Sequence, residues 1–189
     1  FSLESGNQEI LDMMEKHVKV EYFKDQTELL AKVGIISQTS IVFGYPMETK
    51  ETIKETFEMC SQANVYPSIG FLLPLPKTPM YEYAKDHGFI GDEDKFLDSI
   101  TERQDICINM TKIPEDEVMK IILEEAEELQ GKLDLKLKNP IRTGGYREHS
   151  NKDKQIKRNQ NDVTFNYSDT EFEFEESNIS IEVDNISNS

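Results

Sequence analysis

The chain has 189 residues, enough for one domain with a core or for part of a larger one. Its net charge of −16 and pI near 4.6 argue against a nucleic-acid partner, because proteins that grip a phosphate backbone carry basic stripes that release counterions. Neither a long apolar run nor a charged-then-apolar leader is visible, so no membrane span or secretory signal is expected, and two cysteines, Cys60 and Cys107, without ligand spacing suit a reduced, cytoplasmic setting.

Phe1 stands inside an apolar alternation with Leu3, and the expectation is a chain that begins within a longer protein. Residues 1 to about 130 alternate short apolar runs with helical patterns, the sign of strands joined by crossover helices in a parallel sheet. The first run is the end of a strand, and "SGNQ" after it opens a helix: Ser5 can cap, with Gln8 placed for a capping box. A second helical pattern over 25–33 sets Leu29, Leu30 and Val33 on one face and stops at Gly34. Residues 40–43, apolar and β-branched, predict a strand buried on both faces. Thr49 then caps a helix to about residue 63, with Glu48 and Glu51 near its positive end and Ile53, Phe57 and Cys60 on its apolar face.

A third strand fits 68–73, and Pro74, Pro76 and Pro79 force the chain out of it as an extended loop. A short helix follows at 81–87, where His87 suits the C-terminal end, and another at 92–99. Ile106, Ile108 and Met110 alternate like a brief edge strand or extended segment. Pro114 opens a helix to about residue 130, with Glu115, Asp116 and Glu117 in its first turn and Val118, Ile121, Ile122, Ala126 and Leu129 beneath. Beyond Gly131 the apolar residues thin out. Residues 132–158 carry nine Lys or Arg against three acids, and 159–189 carry none against eight, so opposed charge blocks without a core pattern predict a disordered tail over 131–189.

In parallel α/β folds ligands lie at the carboxyl ends of the strands, and three such ends are unusual here. "LESG" puts Glu4 at a strand end, with Gly6 leaving room for a ligand. "FGYPMET" offers Gly44 for close backbone approach and Pro46 to fix the exit. "LLPLPKT" offers an apolar wall and a rigid loop that can clasp a flat ring. Taken singly, each has a plainer reading: Glu4 as a solvated acid, Ser5 as a cap, Gly44 and Pro46 as an ordinary turn, Leu73 as core.

In order and at their spacing, "SLESGNQEILDMMEK", "VFGYPMETKETIKET" and "LPLPKTPMYEYAKDHGFI" resemble the second half of the radical SAM core, and more particularly the branch whose members often carry an N-terminal cobalamin-binding domain. That resemblance covers residues 1–90 and implies an α/β partial TIM-type barrel in which strands four, five and six of six fall at 1–4, 40–43 and 68–73. Residues 91–130 would be an accessory helical segment. The resemblance further implies that Glu4, with Ser5, meets the ribose of S-adenosylmethionine (SAM), that Val42 and Gly44 line the adenine, and that Leu73 and Pro74 lie beside it. It implies a 4Fe-4S cluster whose three cysteines fall outside this chain, cobalamin as a further cofactor, and a small-molecule substrate and a reductant of the flavodoxin or ferredoxin type as partners. Without those cysteines the chain by itself is expected to be inactive. Met47 and Lys77 stand where the family most often has glycine, which puts the shape of both loops in question. They support the alternative of a non-catalytic βα-repeat binding module with a charged docking tail.

Overall fold

The computed structural model describes residues 2–141 apart from positions 36, 102, 103 and 138. Two strands, β1 (Ser40–Phe43) and β2 (Ser68–Phe71), pair in parallel, with Ser40 opposite Ser68 and Phe43 opposite Phe71. On the other edge of β1, Glu4 forms a parallel bridge with Ile41: the Glu4 N–H donates to the Ser40 carbonyl and the Val42 N–H to that of Glu4, each at 2.9 Å. Three chain segments thus lie side by side in sequence order, and helices connect them. The architecture is mixed α/β with parallel pairing, as the alternating pattern predicts.

Helices α1 (Gln8–Met13) and α2 (Val20–Lys32) link the first segment to β1, and α3 (Lys50–Gln62) links β1 to β2. After β2 come α4 (Pro79–Asp86), α5 (Glu93–Ser99) and α6 (Glu115–Lys132). The caps follow local chemistry. Thr49 begins α3 with a reciprocal pairing to Thr52, Thr78 accepts the Tyr81 N–H at the start of α4, and Asp92 accepts that of Lys95 at the start of α5. His87 ends α4, with its Nδ1 2.9 Å from the Tyr83 carbonyl.

The main core lies between the strands and the helices α3 and α6. Ile41, Phe43, Ile69 and Phe71 point into it from the strands, Ile53, Phe57 and Cys60 from α3, and Val118, Ile122 and Leu129 from α6. Phe43 and Phe57 stack with centroids 5.5 Å apart. Each large side chain buried here contributes roughly 1.5–3 kcal/mol. A second cluster, with Leu72, Tyr81, Ala84, Ile90, Phe96 and Met110, holds α4 and α5, and the half-buried Val42 and Tyr45 pack against it. Helix α6 is therefore no appendage: its apolar face completes the main core. Leu133, Leu135 and Ile141 are also buried in that core, so packing continues past position 131; the rest of the tail, 142–189, lies outside the described residues.

Several expectations need correction. Asn7, not Ser5, caps α1, accepting the Ile10 N–H at 3.1 Å. Strand β1 buries one face only, because Ser40 and Val42 are half-buried while Ile41 and Phe43 are enclosed. Helix α2 faces inward through Phe23, Thr27 and the half-buried Leu30, at spacings of four and three, which leaves Leu29 and Val33 63% and 66% exposed. The apolar count misled because the inward position at Thr27 is polar, its hydroxyl satisfied by the Lys24 carbonyl at 2.7 Å. Of the two readings of residues 106–110, an edge strand or an extended segment, the strand does not form; Asn109 and Thr111 turn the chain after it by hydrogen bonds to each other and to Ile113.

Candidate functional site

At the carboxyl end of the sheet the three segments bring Glu4, the Gly44–Tyr45 turn and the stretch after β2 together. Glu4 has φ of +64°, a left-handed conformation that costs a non-glycine residue of order 1 kcal/mol. Side-chain contacts offset that cost: Ser2 Oγ donates to Glu4 Oε1 at 2.7 Å and Lys16 Nζ approaches the same oxygen at 3.0 Å. Both of these contacts are to Oε1. Ser2 Oγ also lies 2.6 Å from Ser40 Oγ, so this end of the sheet is polar.

Gly44 has φ of +109°, and a Cβ there would meet the Cβ of Leu72 at 3.4 Å. The β1–α3 turn thus needs glycine for conformation. Its two amide groups converge on one acceptor, since the Gly44 and Tyr45 N–H groups both donate to Glu48 Oε2. Glu48 is 2% exposed, and its Oε1 is buried with no hydrogen-bond partner among the described residues. Burial raises the Glu48 carboxyl to about 7, against the opposing pull of the two backbone donors. Tyr45, half-buried beside it, has its hydroxyl pushed up to about 12 by burial and then by the charges of Glu4 and Glu48. A pair of carboxylates therefore acts on one phenol at the strand ends.

Val42 and Leu73 are half-buried, Pro74 is buried, and Leu72 is tied to β1 by its N–H to the Phe43 carbonyl at 2.7 Å. Glu4, Val42, Gly44, Leu73 and Pro74 thus all fall at or just beside the strand ends. Ser5 does not. It is 1% exposed, its Oγ accepts the Asn7 N–H at 3.2 Å and lies 3.5 Å from Thr56 Oγ1 of α3, so it has no face for a ribose. Gly6 is likewise no ligand opening, because a Cβ there would lie 2.5 Å from the Thr56 Cα. Lys77 has φ of +70°, the backbone a glycine would take, whereas Met47 is outside the positive-φ region and needs no glycine.

Sequence reasoning placed Glu48 only as a helix-start charge. The usable signal was the turn itself: two amides leaving a strand need an acceptor, and the nearest acid supplies it. The iron ligands implied by the resemblance are expected outside this chain. Cys60 is fully buried with its thiol pushed to about 12, Cys107 lies beside Thr101 at 3.4 Å, and among the described residues no set of three or more His, Cys, Asp or Glu could hold a metal. These residues do not fit a 4Fe-4S cluster. A groove of about 540 Å³ on the outer side of α3 and α6 is lined by Lys54, Glu58, Glu125, Glu128 and Lys132. These pair with one another: Lys54 with Glu125 at 3.5 Å and Lys132 with Glu58 at 3.2 Å brace α3 against α6, and Lys132 with Glu128 at 3.0 Å pairs within α6. Among the described residues no helix is long and apolar enough to cross a membrane.

No family model matches the chain. Over 85 residues it is 27% identical to an uncharacterized methyltransferase of Pyrococcus horikoshii, covering 44% of this chain and 18% of that protein. Over 94 residues it is 28% identical to the anaerobic magnesium-protoporphyrin IX monomethyl ester cyclase of Rubrivivax gelatinosus, covering 49% of this chain and 17% of that protein. About half of the chain is thus similar to part of two enzymes, and the matched region spans less than a fifth of either.

Proposed function

We propose that this chain forms the nucleoside-binding wall of a radical SAM enzyme, with the segment at Glu4, β1 and β2 as strands four, five and six of a partial barrel. The observation that carries this reading is the convergence of Glu4, Val42, Gly44 and Leu73 at the carboxyl ends of adjacent parallel segments. Glu4 presents a carboxylate oxygen suited to accept from the paired hydroxyls of a ribose. Val42, Leu73 and Pro74 supply an apolar surface for a flat base. The positive φ of Lys77 keeps the loop shape of a glycine at that position, which removes support from a module that has lost its chemistry.

The two relatives agree with this reading. A methyltransferase requires a methyl donor, a role that SAM can fill, and the anaerobic cyclase is compatible with chemistry that does not use oxygen. A reduced 4Fe-4S cluster, held by residues other than those described, would supply the electron for reductive cleavage of SAM. The cluster ligands belong to another part of the complete protein, and cobalamin upstream would extend the chemistry to methyl transfer. This chain's own part is to hold the nucleoside: Glu4 orients the ribose, while Val42 and the Leu73–Pro74 stretch exclude water from the base.

The test is made on the complete protein purified without oxygen, by its iron and sulfide content and by 5'-deoxyadenosine released from SAM under a strong reductant. Release is expected, and Glu4→Ala should abolish most of it while leaving the iron content unchanged. A protein without iron, sulfide or nucleoside release would overturn the reading.

A further inference from the structure

We propose that Glu48 is the positioning residue of the strand-end site: in its ionised form it locks the Gly44–Tyr45 turn against β2, so nucleoside binding there is linked to loss of one proton from Glu48. This rests on the nucleoside reading above. The geometry is specific. One buried carboxylate oxygen gathers both amides of the turn, and that turn directly follows β1 at the carboxyl end of the sheet, where the proposed nucleoside wall lies. The second oxygen, Oε1, is buried without a partner among the described residues, so none of them compensates a charge there.

An ionised acceptor makes the stronger bond to backbone N–H, roughly twice that of a neutral one. Ionised Glu48 therefore fixes the turn, and protonated Glu48 loosens it. The titratable groups around it are few. Tyr45 shares the turn and stays protonated at neutral pH, and Glu4 acts on Tyr45 from the neighbouring segment while held by Lys16. Leu72, which approaches Gly44 from the end of β2, carries no charge. At the start of α3, exposed Glu51 has its carboxyl below the usual range because its own backbone N–H and the Thr49 hydroxyl bond to it, so it is already ionised over the range in question. Glu48 is left as the group that changes charge near neutrality.

The experiment measures SAM affinity of the complete protein from pH 6 to pH 8, together with hydrogen–deuterium exchange of peptides spanning residues 40–49, for the wild type, Glu48→Gln and Glu48→Ala. Wild-type affinity should tighten by about tenfold across that range, as when only the ionised tenth of the molecules binds at pH 6. Glu48→Gln keeps an acceptor but no titration, and should give a flat profile; Glu48→Ala should expose the turn to exchange at every pH. A Glu48→Gln protein that keeps the wild-type pH profile overturns the proposal, even if Glu48→Ala does not fold. If the wild type binds no SAM, the nucleoside reading fails, and exchange alone decides the lock: protection of 40–49 that rises with pH in the wild type but not in Glu48→Gln sustains it, and equal protection in both overturns it.

Discussion

Gly6 and Gly44 follow neighbouring parallel segments at the same end of the sheet, and both suggest a place left open for a ligand. The structure separates them. Gly6 is pressed against α3, where Thr56 Oγ1 accepts its N–H at 2.9 Å and the helix backbone occupies the space of a side chain. Gly44 has room at ordinary contact distance, and it is φ of +109° that demands glycine. One glycine serves packing between elements and the other serves a turn at the strand end, whose amides Glu48 gathers. A glycine at a strand end is therefore a question about what lies opposite it, and only the answer distinguishes scaffold from site.

The sharpest way to break this comparison is to add a methyl group at each position. Gly6→Ala drives Cβ into the α3 backbone and should cost about 3 kcal/mol or more, since overpacking against a rigid neighbour is rarely absorbed; a large drop in melting temperature is the expected outcome. Gly44→Ala meets only Leu72 and should cost about 1–2 kcal/mol through its backbone conformation, with a proportionally greater loss of SAM affinity than of stability. Equal stability losses for the two would erase the distinction.

Glu48 sharpens it further. In the folded protein Glu48 holds its proton up to about pH 7, against 4.5 for an ordinary carboxyl. Its contribution to stability is therefore fully present below 4.5 and lost as pH rises through 7. Denaturant melts of wild type should weaken relative to Glu48→Gln between those values and run parallel above them. Affinity for the nucleoside should rise over the same interval, so stability and binding move in opposite directions. The smallest effect belongs to Lys77→Gly. Relief of a positive φ, set against the greater freedom of glycine in the unfolded chain, should stabilise by about 0.5 kcal/mol or less, read as a melting shift of a few degrees at most.

Much of the order of elements was legible. The capping residue Thr49 and the apolar stripe of α6 are set by local hydrogen bonding and 3.6-residue spacing, and both act within a few residues of chain. Pattern failed where a polar residue faces inward or an apolar one faces out. Thr27 carries the inner face of α2 while Leu29 and Val33 are exposed, and Ser5 satisfies its hydroxyl inside the fold instead of capping. Of the expected site, Glu4, Val42, Gly44, Leu73 and Pro74 come to the strand ends because a parallel sheet puts every strand's carboxyl end on one side.

By itself, then, the sequence determined the βα rhythm, the cap at Thr49 and the set of strand ends, since these depend on neighbours in the chain. Only the tertiary structure decided that α6 closes the main core, that Ser5 and Gly6 belong to the packing of α3, and that Glu48 is enclosed. Those outcomes depend on what approaches from tens of residues away, and burial, which converts an ordinary carboxyl into one that titrates near neutrality, has no local signature.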